Sequence, residues 1–423
     1  MAVSVMLYTC SLVDVPRFTG FGRVTGLGAL TLFYNSCTWI LWGLTPAITG
    51  RVLTATFALG PYLLWGCVSL AWSPAIVSGV QNLAVISAFW GALLLCARES
   101  GRSREFRNKV QRAFTRATTL ATFLYCLGLV MVRFGFTPIL SARGFALFAL
   151  LGMACFLGAW RYDSKLALLW AVLLTALIGF SLSRMAFAVA LALYPLAQRP
   201  SRGLREVARI IVWVSLVVTV GYFSITYAEP LHMRFFSGDM SLDLGGIRLN
   251  ASGRTGFWRA MVNSYMESWL LGKGAGSSEA LMQRSFVDIG HPHNDYLRIL
   301  HDYGLVGLVL WLSAMGMLFW HVVRAWLRAD KLNSSEAALH LSAFLILVVV
   351  SLTMTSDNTL IYIFMMAPAG ALVGMSLGAR RPRSYDAQQN RGSRTSSPFH
   401  TIQASPPAAP ERRSPRNARK AER

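Results

Sequence analysis

Charged residues are scarce in this chain. Asp, Glu, Lys and Arg make up only 14% of the 423 residues, whereas hydrophobic residues make up 54% and the mean hydropathy is +0.46. A soluble domain has about 25% charged residues, because its surface is in contact with water. The hydrophobic residues also form long unbroken runs rather than one face of an amphipathic pattern. The sequence therefore excludes a soluble class and predicts an all-α membrane protein.

Paired cysteines and clustered carboxylates are absent as well. The six cysteines are single, widely spaced and set in hydrophobic runs: Cys10, Cys37, Cys67, Cys96, Cys126 and Cys155. This pattern supports neither a disulfide framework nor a zinc site. The long hydrophilic segment 228–304 has no Asp-x-Asp pair that could hold a divalent cation. We therefore expect no metal and no cofactor.

Hydrophobic runs long enough for membrane helices recur along the chain. A membrane helix needs about 20 predominantly hydrophobic residues. Counting such runs predicts 11 or 12 spans, with Met1–Val13 left open as a truncated first helix or an interfacial one. The candidate runs are Val24–Leu44, Val52–Trp72, Val77–Ala97, Ala117–Phe136, Gly144–Trp160, Leu166–Ser183, Met185–Ala197, Ile210–Tyr227, Leu305–Val323, Ala338–Thr355 and Thr359–Leu377.

The net charge of +21 is concentrated in four basic clusters, at 98–116, 199–209, 324–331 and 380–423. No aromatic residues interleave them as nucleic-acid stacking requires, so we expect no nucleic-acid partner. With loop 98–116 in the cytoplasm, counting spans forward puts all four clusters on that side, as cytoplasmic loops prefer. The same count puts 228–304 outside.

The count divides the chain into four parts. N-terminal membrane helices (1–227) are followed by one large external loop (228–304) that contains short helices and most of the candidate functional residues. C-terminal membrane helices (305–378) come next, and 379–423 is a basic, disordered cytoplasmic tail, since it has almost no large hydrophobic residues to bury.

Arginine and histidine are the candidate functional residues. Arg184 stands at the outer end of a predicted span, where a charge is costly and indicates function. Arg254 and Arg259 lie in the loop, followed by His291-Pro-His293-Asn294. Arginine presents rigid, permanently charged donors that match a diphosphate, and histidine can accept a proton from a hydroxyl near neutral pH. Each could instead be a solvated or structural residue.

Two other chemistries fit less well. A metal site could recruit His291, His293, Asp295 and His301, but their spacing is not that of a known zinc motif. Gly272-x-Gly274-x-Gly276 marks a turn, and it neither follows a strand nor opens a helix with Lys-Ser/Thr, as a nucleotide loop does.

The segment from His293-Asn-Asp-Tyr-Leu to Asp302-Tyr-Gly304-Leu-Val-Gly307 resembles the signature of the bacterial O-antigen ligase and polysaccharide polymerase superfamily. Ser252-Gly-Arg254 with Trp258, the three spaced glycines, Ser183-Arg184 and Trp72-Ser-Pro74 look like other elements of that family. Two departures stand out. Asp302 replaces the usual Glu, and Arg143-Gly144-Phe145 is a remnant of an element that normally carries Pro-Asn.

The resemblance implies a glycosyltransferase of the bacterial inner membrane. Such enzymes move glycan from a polyprenyl (undecaprenyl) diphosphate carrier to lipid A core or to a growing polysaccharide on the periplasmic face, inverting the anomeric centre without metal. By the same resemblance, Arg184 and Arg254 bind the diphosphate, with Arg259 as an alternative ligand, and His293 activates or orients the acceptor hydroxyl. His291, Asn294 and Asp302 are further candidates for substrate binding.

The sequence leaves two questions about function open. Ligases and polymerases share a donor and differ in acceptor, so the sequence does not separate them. A transporter or flippase for an anionic or lipid-linked substrate is the alternative, although we find none of the inverted repeats typical of transporters. Membrane lipid and the glycan donor and acceptor are the expected partners.

Overall fold

The computed structural model describes residues 2–10, 12, 20–21, 24–43, 50–162, 164–198, 204–236, 242–244, 247–250, 253–286, 290–332 and 335–379. The predicted tail beyond residue 379 lies outside these ranges, and so does Ser252 of the Ser252-Gly-Arg254 motif.

Helices dominate the described residues. The helices are α1 (Ala2–Cys10), α2 (Gly26–Gly43), α3 (Gly50–Ser69), α4 (Ile76–Arg102), α5 (Arg104–Arg133), α6 (Ala142–Tyr162), α7 (Leu166–Phe180), α8 (Arg184–Leu196), α9 (Leu204–Tyr227), α10 (Glu229–Phe236), α11 (Arg254–Tyr265), α12 (Ser277–Ser285), α13 (Asp295–Lys331), α14 (Ala337–Thr353) and α15 (Ile363–Gly378). Short 3₁₀ turns cover Leu70–Trp72, Met266–Ser268 and Thr359–Ile361.

Two small antiparallel hairpins complete the described secondary structure. One pairs β1 (Gly20–Phe21) with β2 (Val24–Thr25), and the other pairs β3 (Leu242–Leu244) with β4 (Ile247–Leu249). Both lie outside the hydrophobic helices, so they do not change the fold class.

Hydrophobic helices confirm the all-α membrane class. Within the described residues, five helices are long and hydrophobic enough to cross a membrane, and five more are hydrophobic but shorter. The predicted runs coincide with helices α2 to α9 and α13 to α15 to within a few residues at most ends. Within Met1–Val13, the described residues form the nine-residue helix α1, which is shorter than a membrane span.

The basic segment 98–116 is not a loop, contrary to the prediction. Helix α4 continues to Arg102 and α5 starts at Arg104, so Ser103 alone separates them. The Ser103 hydroxyl accepts a hydrogen bond from the Phe106 amide at 3.2 Å and caps α5. Hydropathy ended the run Val77–Ala97 too early and began the run Ala117–Phe136 too late. Basic residues at a helix end lower the hydropathy without breaking the helix.

Three glycines bring α15 against α4. Gly370, Gly374 and Gly378 recur every four residues, so they share one face of α15. A Cβ atom at any of them would overlap a backbone carbonyl of α4. Small residues at this spacing allow membrane helices to pack at backbone distance. This pair of helices forms the centre of the bundle.

Two of the basic clusters meet at one end of the bundle. The Arg107 guanidinium donates to Glu336 at 2.6 Å, and Arg104 donates to Ser335 at 3.1 Å. The Tyr162 hydroxyl at the end of α6 donates to Asp330 near the end of α13 at 2.7 Å. The clusters at 98–116 and 324–331 therefore share the end at which α6 and α13 terminate.

Helices α6 and α13 begin at the other end, where the glycine turn 272–276 packs. The Trp72 indole donates to the Gly272 carbonyl at 3.2 Å, and the Ser73 hydroxyl donates to the Ala275 carbonyl at 2.6 Å. Gly272, Gly274 and Gly276 all have positive φ. The spaced glycines and the Trp72-Ser-Pro74 turn therefore hold each other, and neither motif is a nucleotide cradle.

A kink at Gly304 divides α13. Its φ of 70° and ψ of −171° interrupt the helix, so Asp295–Tyr303 forms a separate segment before the long hydrophobic helix. The amides of Leu305 and Val306 donate to the carbonyls of Trp269 and Leu270, at 2.9 and 3.2 Å. The kink thereby fixes the segment that follows His293 at the glycine-turn end of the bundle.

Candidate active site

His293 lies immediately before α13 in an unusual backbone conformation. Its φ is 55°, in the left-handed region that residues with a side chain rarely adopt. Its backbone amide donates to Asn358 Oδ1 at 2.9 Å. Its ring nitrogen Nδ1 lies 3.0 Å from Arg143 Nη2 and 2.8 Å from Asn358 Nδ2. Two residues distant in sequence thus fix both the backbone and the ring.

Arg143 comes from the first turn of α6 and is anchored by Asp357. Its Nη2 and Nε atoms donate to the two carboxylate oxygens, at 2.6 and 3.0 Å. This bidentate geometry is the strong form of an arginine–carboxylate pair. Asp357 Oδ1 also accepts the Asn358 amide at 2.7 Å. Arg143, Asp357 and Asn358 therefore form one connected support beneath His293.

The two residues after His293 have structural partners. Asn294 Oδ1 caps α13 by accepting the Leu297 amide at 3.0 Å. Asp295 is fully buried, donates its own amide to Met354 O at 2.8 Å and accepts the Leu360 amide at 2.8 Å. Asp295 thus holds the turn that presents Asp357 and Asn358. Asn294 Oδ1 thus caps the helix, and the substrate contact that the resemblance implied for Asn294 stays a prediction.

Arg254 is the first residue of α11 and is half-buried. Burial, and then the nearby charges of Arg143 and Arg184, lower its pKa to about 10, with Asp357 acting in the opposite direction. No described residue hydrogen-bonds its guanidinium. A guanidinium placed beside two others and left without a carboxylate of its own has the electrostatics of an anion site.

Arg184 is the first residue of α8 and follows Leu182, whose φ is also 55°. Its guanidinium donates to the Asn250 carbonyl, next to the hairpin of β3 and β4. Its charge acts on Arg254, so the two arginines predicted to bind diphosphate lie within electrostatic range of each other. Arg143 and Asp357 act on Arg254 as well, so three guanidinium groups and one carboxylate are electrostatically linked in the described part of the chain.

The histidines at this site are neutral at physiological pH. Burial, followed by the charges of Arg143 and Arg254, lowers the pKa of His293 to about 3. Burial, Arg298, His293 and Arg143 lower the pKa of His291 to about 3, against a smaller opposing effect of Asp302. His291 Nδ1 is buried and lacks a hydrogen-bond partner among the described residues. The Trp258 indole donates to the intervening Pro292 carbonyl at 3.2 Å and ties α11 to this turn.

Asp302 and Arg259 are not part of this group. Asp302 is buried and accepts hydrogen bonds from the Gly276 and Ser278 amides, at 3.0 and 2.7 Å, and from the hydroxyls of Ser277 and Ser278. It therefore holds the glycine turn and the start of α12. Arg259 is exposed, and five residues on a helix turn about 140° away from Arg254.

The four residues considered for a metal do not converge. His301 Nδ1 lies 3.1 Å from Ser277 Oγ and its Nε2 lies 3.0 Å from Ser264 Oγ, so protein hydroxyls occupy both nitrogens. Asp295 faces the 354–361 turn instead. The described residues contain no group of three or more metal-ligating side chains.

Sequence reasoning missed three members of the site: Arg143, Asp357 and Asn358. Arg143 begins a hydrophobic run, as Arg184 does, so the rule that marked Arg184 could have marked it too. Asp357 stands in a turn on the side predicted to be outside, between two hydrophobic runs. No sequence signal pairs a residue at 143 with one at 357, because the contact arises from the packing of the bundle.

Residues 166–312 match the family model described as O-antigen ligase, over about a third of the chain. The match contains Arg184, Arg254 and His293, and it ends before Asp357. No curated protein matches the chain in sequence. Residues 166–312 are therefore similar to the O-antigen ligase family, which confirms the superfamily resemblance that the sequence motifs predict.

Proposed function

We propose that this chain transfers glycan from a polyprenyl diphosphate carrier to a saccharide hydroxyl on the periplasmic face of the bacterial inner membrane. The match of residues 166–312 to the O-antigen ligase family supports ligase or polymerase chemistry at the level of the family. The single observation that carries the finer proposal is a cluster of three arginines linked to the neutral His293. Arg143, 3.0 Å from the ring, and Arg254 both act on His293, and Arg184 acts on Arg254. Undecaprenyl diphosphate is the proposed carrier, and a growing polysaccharide or lipid A core is the proposed acceptor.

The electrostatics of the cluster fit a diphosphate leaving group. When the bond between the anomeric carbon and the diphosphate breaks, its electron pair stays on the phosphate oxygens. Fixed cations aimed at those oxygens stabilise the developing charge. No carboxylate among the described residues pairs with Arg254, so a bound diphosphate would supply a counter-ion. The acceptor hydroxyl would attack the opposite face of the sugar, which inverts the anomeric centre.

The predicted topology puts this chemistry on the periplasmic side. The basic clusters at 98–116 and 324–331 share the end of the bundle away from His293. Lys and Arg accumulate in cytoplasmic segments. We therefore propose that 228–304 is the periplasmic catalytic loop, between membrane helices 1–227 and 305–378.

Complementation tests the proposal. A host lacking this gene would receive the wild type, His293→Ala, Arg254→Ala, or Arg284→Ala as a control, because Arg284 is an exposed arginine in the last turn of α12. We expect the first two variants to reach the membrane, to lose surface polysaccharide and to accumulate lipid-linked glycan, whereas the control behaves as wild type. Wild-type glycan from both site variants would reject the proposal.

The accumulated material also separates the two acceptor classes. Single repeat units on the carrier would identify a polymerase, whereas long chains on the carrier would identify a ligase. Accumulation of the lipid-linked glycan on the cytoplasmic face would instead indicate a flippase.

A further inference from the structure

The hydrogen bonds of His293 determine which ring nitrogen carries its proton. Arg143 Nη2 lies 3.0 Å from Nδ1. A guanidinium has N–H donors and no acceptor, and it stays charged at any physiological pH. Nδ1 must therefore be the acceptor, and the proton of a neutral imidazole must sit on Nε2.

Asn358 supports the same assignment independently. Its Oδ1 accepts the backbone amide of His293 at 2.9 Å, and a backbone amide can only donate. This fixes the orientation of the side-chain amide, so the group 2.8 Å from Nδ1 is the Nδ2 donor. Two independently oriented donors thus point at one lone pair.

The charges around the ring keep it from taking a second proton. Arg143 and Arg254 both act on His293, and the neighbouring His291 is itself a neutral imidazole. Asp357 is the nearby carboxylate, and both of its oxygens are engaged by Arg143. Among the residues that the structure describes, His293 therefore has no anionic partner, unlike a catalytic base that an aspartate orients.

We propose that Arg143 and Asn358 are positioning residues that hold His293 as its Nε2–H tautomer, so that the imidazole donates a hydrogen bond to a phosphate oxygen of the bound diphosphate instead of accepting a proton from the acceptor hydroxyl. This inference rests on the proposed function. The acceptor oxygen bonds to the anomeric carbon while the bond from that carbon to the diphosphate oxygen breaks. The electron pair stays on the diphosphate, and the hydroxyl proton passes to a phosphate oxygen of that leaving group.

Nitrogen NMR reads the tautomer without needing activity. The full-length protein would be purified in detergent with ¹⁵N-histidine, and the His293 signals would be assigned by their loss in His293→Gln. At pH 7 we expect an unprotonated Nδ1 and a protonated Nε2. A proton on Nδ1, alone or together with one on Nε2, would overturn the proposal.

Asn358→Asp gives opposite results for the two possible roles. A carboxylate opposite Nδ1 accepts the Nδ1 proton, which moves the free lone pair to Nε2. If His293 is a donor, the rate of transfer of the host's own lipid-linked glycan in isolated membranes should fall at least tenfold. If His293 is a base, the new Asp–His pair should keep or raise that rate. Asn263→Asp adds the same charge at an exposed position of α11 and serves as the control.

His293→Gln provides a second measurement should Asn358→Asp fail to accumulate in the membrane. The glutamine amide can donate near the position of Nε2 and cannot accept a proton. The donor role predicts a rate at least fivefold above that of His293→Ala, and equal rates would overturn it. Wild-type rates in His293→Ala would reject the proposed function itself, whereas an inactive His293→Ala with an active Asn358→Asp would reject only the tautomer assignment.

Discussion

Arg254 and Arg259 belong to the same helix and differ in what surrounds them. Arg254 is half-buried beside two other guanidinium groups, whereas Arg259 is exposed on another face of α11. A hydrogen bond to a charged group contributes about 1.5–3 kcal/mol when its partner is fixed. The neighbourhood of each arginine, not its place in a motif, should therefore decide its role.

Arg254→Ala should weaken diphosphate binding and Arg259→Ala should not. We expect the Kd for a short prenyl diphosphate, measured by calorimetry on the detergent-purified protein, to rise about tenfold or more in Arg254→Ala. Arg259→Ala should change it less than about twofold, because an exposed side chain at the rim contributes little. Equal losses in both variants would contradict the assignment of these faces.

His291 should make the stability of the protein sensitive to acid. Its pKa is lowered from 6.5 to about 3 in the folded state, so between those values the unfolded chain binds more protons than the folded one. The contribution is full above pH 6.5 and is lost as the pH falls toward 3, by up to about 1.4 kcal/mol per pH unit. Thermal unfolding at pH 7 and pH 5 should show a larger drop in Tm for the wild type than for His291→Gln. Equal drops would show that His291 does not titrate in this way.

At the scale of single residues, the sequence indicated which residues to consider and gave no contacts between them. Arg184, Arg254 and His293 were chosen because charged and titratable groups are costly near a membrane, and their roles stay predictions. In the structure, Arg184 acts on Arg254, and Arg254 acts on His293. Asn294 and Asp302 carry the same polar chemistry and serve as helix and turn supports. A motif alone does not distinguish these uses, because both depend on partners that are distant in sequence.

Among the elements, the α4–α15 pair depends on backbone contact. Gly374 faces Leu93 so closely that any added Cβ atom would overlap its carbonyl oxygen, and a backbone atom cannot rotate away. Forcing extra atoms into a packed interface costs about 1–3 kcal/mol. The three glycines therefore set how closely the central helices approach.

Gly374→Ala should lower the thermal stability of the detergent-purified protein by several degrees. Gly316→Ala on α13 is the matched control, since a Cβ atom there meets nothing within 4 Å and alanine favours the helix. We expect that control to be unchanged or slightly more stable. If Gly374→Ala unfolds at the wild-type temperature, the close approach of α4 and α15 is not required.

Helix positions followed from hydropathy, whereas helix ends did not. The hydrophobic runs located α2 to α9 and α13 to α15, but they missed the extension of α4 to Arg102 and of α5 back to Arg104. Polar residues continue these helices because tertiary partners such as Glu336 satisfy them. A hydropathy profile does not take such partners into account.

For the whole molecule, the arrangement of charge predicts its orientation. Alkaline phosphatase fused after residue 290 should be active, because we place that position in the periplasm, and fusions after residues 333 and 379 should be inactive. Fluorescent protein fusions, which fold in the cytoplasm, should give the reverse pattern. Active phosphatase at all three positions would contradict the two-sided arrangement.

The residues that support His293 lie outside residues 166–312, the region that matches the family model. Arg143 precedes the matched region and Asp357 with Asn358 follows it, although all three hold or orient a ring that lies within it. Grafting only residues 166–312 into another scaffold would thus transfer His293 without Arg143 and Asn358, the residues that determine which ring nitrogen carries its proton. A working transplant would need the stretches around Arg143 and Asp357–Asn358 moved together with 166–312.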